Sequence, residues 1–145
     1  MTLDASTLAT ALQAIGPQAT TADAAQAWAL AVRTYANGLS VPGTSTAVTA
    51  AAAVLQSSLA TAFGSASAAP GMETAFTTFG AAAGVGMAPA YTATPPGGEV
   101  GFATLFATVR ASASVAAEAV AGAINTWMKT GTAVPSGGGP AVHWG

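Results

Sequence analysis

Residues 20–39, TTADAAQAWALAVRTYANGL, carry the strongest periodic signal in the chain. Trp28, Val32, Tyr35 and Leu39 recur at the spacing that places side chains on one face of an α-helix. The start is marked too, because Thr20 and Asp23 stand in a Thr-x-x-Asp pattern that satisfies free backbone N–H groups at a helix entry. Asn37-Gly38 and then Val41-Pro42-Gly43 end the segment, since proline cannot continue a helix and glycine suits the residue after one.

Outward from this helix, the same reading finds others. Leu8, Leu12 and Ile15 give a short helix from Leu3 to Ile15, stopped by Gly16-Pro17. Val48, Ala52, Leu55, Leu59 and Ala62 form the stripe of a helix from Thr46 to Phe63, and Gly64 to Gly71 reads as a loop. Met72, Phe76, Phe79 and Ala83 mark the next helix, with Gly84 and Gly86 unwinding its end. The prolines and glycines of residues 88–98 predict a loop without regular structure. Phe102, Leu105 and Phe106 allow one or two helical turns. Ser112 or Ser114 then starts a last helix through Ala117, Val120, Ile124 and Trp127, closed by Gly131. The expected fold is all-α: a bundle of four or five short Ala-rich helices over residues 1–131, followed by an extended Gly/Pro-rich C-terminal arm, 132–145. A faint internal echo pairs the helix end at Tyr35, Gly38 and Val41-Pro42 with that at Trp127, Gly131 and Val134-Pro135. It predicts two helices ending with the same geometry.

Composition narrows the function. Soluble domains carry about a quarter of their residues as Asp, Glu, Lys and Arg; this chain has three basic and five acidic residues in 145, or 6%. The thirty-nine residues between Arg33 and Glu73 hold no ionisable side chain except the Tyr35 phenol. Forty alanines make up much of the 52% hydrophobic content, and alanine favours helix while filling little volume. A free surface with so few charges is poorly solvated. The composition therefore predicts a subunit covered by other subunits.

The same scarcity argues against catalysis, which needs groups that titrate or attack. His143 is the one imidazole, and no carboxylate is nearer in sequence than Glu118. Asp4, Asp23, Glu73, Glu99 and Glu118 show no acid-pair or calcium-loop spacing. Asp23 and Glu73 fall where a carboxylate favours a helix N-terminus. Gly80, Gly84 and Gly86 lack the order and preceding strand of a dinucleotide loop, and suit close packing instead. With no cysteine, thiol catalysis and Cys-zinc sites are excluded. The expectation is no enzyme, no cofactor, no metal and no catalytic residue. Arg33, Arg110 and Lys129 are too scattered to grip a nucleic-acid backbone. Met1-Thr2-Leu3-Asp4 lacks the positive start of an export signal. Residues 34–72 are broken by Pro42, Gly43, Gly64, Pro70 and Gly71, so no membrane span is expected.

Three features together resemble structural subunits of tailed-bacteriophage particles, especially those of the neck. They are the run from Trp127 to Pro135 (WMKTGTAVP), the Gly137-Gly138-Gly139-Pro140 arm and the long uncharged middle. The resemblance implies a non-enzymatic head–tail connector or neck protein, with capsid cement or another tail or baseplate subunit as the alternative. It implies a homo-oligomer, with a ring as the expected form, that contacts other virion proteins and is assembled in the host cytoplasm. Neither direct sequence-specific nucleic-acid binding nor a membrane role is expected. A secreted or membrane-active helical protein, and a small binding module or enzyme subunit that borrows its charged residues from a partner, are the readings from other classes. Candidate subunit contacts are Gly80, Gly84, Val134, Pro135, Pro140, Val142, His143 and Trp144, with the arm laid across a neighbour and Trp144 inserted into its pocket.

Overall fold

A computed structural model describes residues 2–145; Met1, the first residue of the expected body, lies outside the described residues. Six helices and three short strands are present among them: α1 (Ala5–Gln13), α2 (Thr21–Ala36), α3 (Ser45–Phe63), α4 (Ala68–Gly86), β1 (Tyr91–Thr94), α5 (Phe102–Ala107), α6 (Ala113–Met128), β2 (Thr132–Pro135) and β3 (Val142–His143). The protein is mostly helical, as expected, but the three strands form an antiparallel sheet in the order β1-β2-β3. The all-α expectation is corrected to that extent.

The helix entries follow the sequence closely. Thr20 caps α2, its hydroxyl oxygen accepting from the Asp23 N–H at 3.1 Å and donating to the Asp23 carboxylate at 2.8 Å. Ser112 caps α6 through the Val115 N–H at 3.2 Å. Helix α4 starts earlier and ends later than its stripe predicts. Pro70 falls in its first turn, where a proline costs nothing because those N–H groups have no intrahelical partner. Gly84 and Gly86 remain helical instead of unwinding it.

Helix α3 lies between α2 and α4; α1 packs on α6 and α2, and α5 links α4 with α6. The α3–α4 pair is an antiparallel hairpin of close contact. A Cβ on Gly71 would stand 2.7 Å from the Ala62 Cβ, and one on Gly86 2.6 Å from the Ala47 Cβ. Both pairs are fifteen residues apart along their helices, about four turns, so glycine faces alanine at each end of one register. Small residues here let two backbones approach, and the large side chains point elsewhere. Helix α3 is also 19 residues long with a mean hydropathy of 1.3, enough by length and composition to cross a membrane. The breaks expected to divide this stretch, Pro42, Gly43 and Gly64, flank the helix instead.

The aromatic core is centred on Phe76 of α4, whose ring lies 5.1 Å from Phe102, 6.1 Å from Trp127 and 6.5 Å from Phe79. Tyr35 is buried, and its phenol donates to Asn125 Oδ1 at 2.9 Å, joining α2 to α6. Burial, helped by the charge of Asp4, pushes its pKa far up and keeps it protonated.

The Pro/Gly-rich segment 88–98, expected as an irregular loop, contains β1, paired along its length with β2 from Tyr91 opposite Pro135 to Thr94 opposite Thr132. Proline flanks β1 at Pro89 and Pro95 and so removes no donor within it. The loop after β1 is clamped from three sides. Trp127 Nε1 donates to the Gly98 carbonyl at 3.2 Å, Gly97 N–H donates to Thr130 Oγ1 at 3.0 Å, and Glu73 receives the N–H groups beyond.

The expected arm is the largest departure. Residues 132–145 supply the central strand and one edge of the sheet, and Ala133 and Trp144 belong to the hydrophobic core. Trp144 is fully buried, its N–H donating to the Gly131 carbonyl at 3.0 Å and its own carbonyl accepting from Ser40 N–H at 2.9 Å. The segment is therefore part of the body, and no boundary falls at residue 131. A buried indole and two backbone hydrogen bonds offset part of the ordering cost of its three glycines. The echoed helix ends do share a cap conformation, at Asn37 (φ −63°, ψ −13°) and Lys129 (φ −67°, ψ −13°). Neither Gly38 nor Gly131 is left-handed; each is small because something presses on it, the Thr2 carbonyl in one case and the Trp144 ring in the other.

Candidate functional site

The acidic groups with resolved hydrogen bonds serve mainly to hold backbone and helix ends. Glu73 of α4 accepts from Val100 N–H at 3.0 Å and from Gly101 and Phe102 N–H at 2.6 Å each, capping α5 from a distance. Asp4 caps α1, accepting from the Ser6 N–H and hydroxyl and from the Thr7 hydroxyl. These hydrogen bonds, that from the Ser6 hydroxyl first, hold its carboxyl below the usual carboxylate range. Asp23 completes the α2 cap. Glu118 is exposed beside Ser114. Among the described residues no three of His, Asp and Glu come together as a metal-binding group.

The eight candidate contact residues divide. Gly80 faces Pro96 and Trp127, and Gly84 faces Ala93, Pro95 and Trp144. Their missing side chains make room for this chain's own sheet layer on α4. Trp144 is internal, corrected from its expected place in a neighbour's pocket, and Val142 packs half-buried against the core. Val134, Pro140 and His143 are exposed and Pro135 is half-buried, so these four remain available on the sheet face and its β2–β3 turn.

The most developed recess is one the sequence did not single out. A cleft of about 540 Å³ lies between α1, α2, α5 and α6, lined by Leu12, Ile15, Trp28, Leu105, Phe106 and Val120 among others, with Arg110 at its edge. Trp28, from the stripe that opens the sequence reading, is half-buried here and meets Phe63 edge-on at 6.2 Å. Phe106, Val109 and Val115 are left exposed around it. The signal for this site was the brief apolar patch before α6, whose Phe106 and Val109 are too many for a six-residue helix to bury. A smaller recess of about 300 Å³ lies between α2 and α3 beside the exposed Leu30. Val85 and Val134 are exposed at the sheet end.

Solitary large apolar side chains thus stand exposed on a surface that carries few charges. No family of known proteins, no characterised protein and no solved structure matches this chain.

Proposed function

We propose that this chain is a non-enzymatic structural subunit of a multi-subunit assembly. The observation that carries the reading is the exposure of Leu30, Phe106, Val109, Val115 and Val85 on a chain with only eight charged residues in 145. Single exposed apolar residues are ordinary; without the usual intervening charge they favour burial between subunits. The use of Asp4, Asp23 and Glu73 as caps adds support, since it ties those carboxylates to structure. Arg33 on α2, Arg110 before α6 and Lys129 after it stand on separate elements, which favours protein neighbours over nucleic acid.

The finer reading is a virion component of a tailed phage, of the head–tail connector or neck type, with capsid cement or a tail or baseplate subunit as its alternative. Its support is compositional: the uncharged middle and the small-residue C-terminal segment. Mass spectrometry of purified particles from a host carrying this sequence tests it. The chain is expected at a fixed copy number per particle; its absence from particles that assemble normally overturns the virion placement.

A second reading, a secreted or membrane-active helical protein, draws on the length and hydropathy of α3. Val48, Leu55 and Leu59 of that helix are buried against its neighbours in the fold, which favours the assembly reading.

A further inference from the structure

The 540 Å³ cleft continues beyond its own walls. Ile15 and Trp28 line both it and a second recess of about 440 Å³, which extends past Phe63 to Thr20 at the start of α2. The two meet at these side chains and make one groove of aliphatic, aromatic and small neutral residues. Arg110 is the one ionisable residue in the whole lining, and it belongs to the first recess only, so the charge stands toward one end. It is half-buried and has no hydrogen bond or ion pair among the described residues. A guanidinium partly withdrawn from water without a counter-charge is unfavourable, and its forked N–H donors match the two oxygens of a carboxylate. Glu118, the acid nearest to it in sequence, pairs with the Ser114 hydroxyl at 3.4 Å and is absent from the lining.

We propose that this groove binds a free long-chain carboxylate, its head on Arg110 and its alkyl tail over Leu12, Val120 and Trp28 toward Phe63. One charge with apolar walls beyond it fits a molecule with one head and one tail; a sugar or a nucleotide would leave most of its polar groups unpaired. The first recess alone has the volume of an ordinary small-molecule site, about 300–1,000 Å³. A bilayer surface fits less well. Anionic membranes are held by clustered cations, whereas Arg33 lies in α2 and Lys129 beyond the far end of α6.

Trp127 and Trp144 are buried, so a change in tryptophan emission on adding ligand reports chiefly on Trp28. Octanoate, decanoate and dodecanoate, each below its micelle concentration, should bind progressively tighter, by about tenfold for each added pair of methylenes. Dodecyltrimethylammonium, with the same tail and the opposite charge, should bind about tenfold or more weaker than dodecanoate. Arg110→Gln should abolish that preference and keep the wild-type circular dichroism. Ala116→Leu, which fills the floor without touching the charge, should weaken both amphiphiles alike. No saturable binding of dodecanoate by the wild type would overturn the proposal, as would equal binding of both amphiphiles that Arg110→Gln leaves unchanged. Arg110-dependent sedimentation with vesicles of phosphatidylcholine and phosphatidylglycerol, by a protein that does not bind dodecanoate, would assign the groove to a membrane surface and overturn it too. None of these readouts requires self-association, so failure here leaves the assembly reading standing.

Discussion

The indole of Trp144 rests directly on Gly131: a Cβ at residue 131 would stand 2.6 Å from Trp144 Cδ2, and the Trp144 N–H donates to the Gly131 carbonyl at 3.0 Å. The contact closes the C-terminal segment onto the end of α6 and makes residues 132–145 a part of the core, not a tether to a neighbour. Gly131→Ala is expected to destabilise by about 1–3 kcal/mol, the usual cost of overpacking, and Trp144→Ala by about 3–5 kcal/mol through the cavity it leaves. Trp144 Nε1 is buried without a hydrogen-bond partner, so Trp144→Phe should cost clearly less than the alanine change. Urea unfolding checks the order. Deleting Thr132 to Gly145 should unfold the chain; a stable helical remnant would contradict this packing.

The two glycine–alanine contacts of the α3–α4 hairpin predict a contrast among glycines. Gly71→Ala and Gly86→Ala meet backbone as well as side chain, the new Cβ lying 3.0 Å from Ala62 Cα and 2.9 Å from Ala47 Cα. Each should lower stability by about 1–3 kcal/mol. Gly122 lies inside α6, and a methyl group there would meet nothing within 4 Å. Its change to alanine should gain about 0.5–1 kcal/mol. Thermal melts of the three variants suffice. Equal effects at all three positions would mean the hairpin register is wrong.

Among the described residues, Glu73 is the side chain that reaches three consecutive backbone N–H groups, those of Val100, Gly101 and Phe102. Glu73→Ala leaves those donors without their acceptor, at a cost of about 1–3 kcal/mol, and frees α5 from α4. Amide hydrogen exchange should rise first at Gly101 and Phe102. Unchanged protection there would show that the cap is dispensable.

Asp4 ties the pH dependence to the first helix. Its folded pKa lies below the usual 3.8 because the Ser6 and Thr7 groups hydrogen-bond the charged form. A depressed carboxylate contributes stability above the unfolded pKa and loses it as pH falls through the folded one. Fraying of α1 is therefore expected only in acid, below the ordinary carboxylate range. A carboxyl NMR titration should show the Asp4 midpoint rising toward the ordinary value in Ser6→Ala; no change would remove the cap from the account.

The parts of this fold that were legible in the sequence are those fixed by near neighbours. Val32 and Tyr35 of the α2 stripe, the Thr20 cap and the Ser112 cap depend on residues within a few positions and lie where their spacing places them, whereas Leu39 falls past the end of α2 and Trp28 is only half-buried. The sheet was not legible, because β1 is four residues between prolines and its partner β2 begins some forty positions later. Thr132 to Pro135 and Val142-His143 are too short to show alternation. The burial of Trp144 likewise depends on Gly131 and Ser40 meeting it in space, which no local pattern encodes. The cleft was missed for the same reason: Leu12, Trp28, Phe106 and Val120 come from four helices.

If other subunits cover this surface, the solution mass of the wild-type chain will show it. Light scattering coupled to gel filtration, run without detergent over a dilution series, should give a mass that is a multiple of the 13.8 kDa chain and falls toward it only on dilution. A single 13.8 kDa species at every concentration, soluble and unchanged by added salt, would mean that the exposed apolar side chains are not subunit contacts.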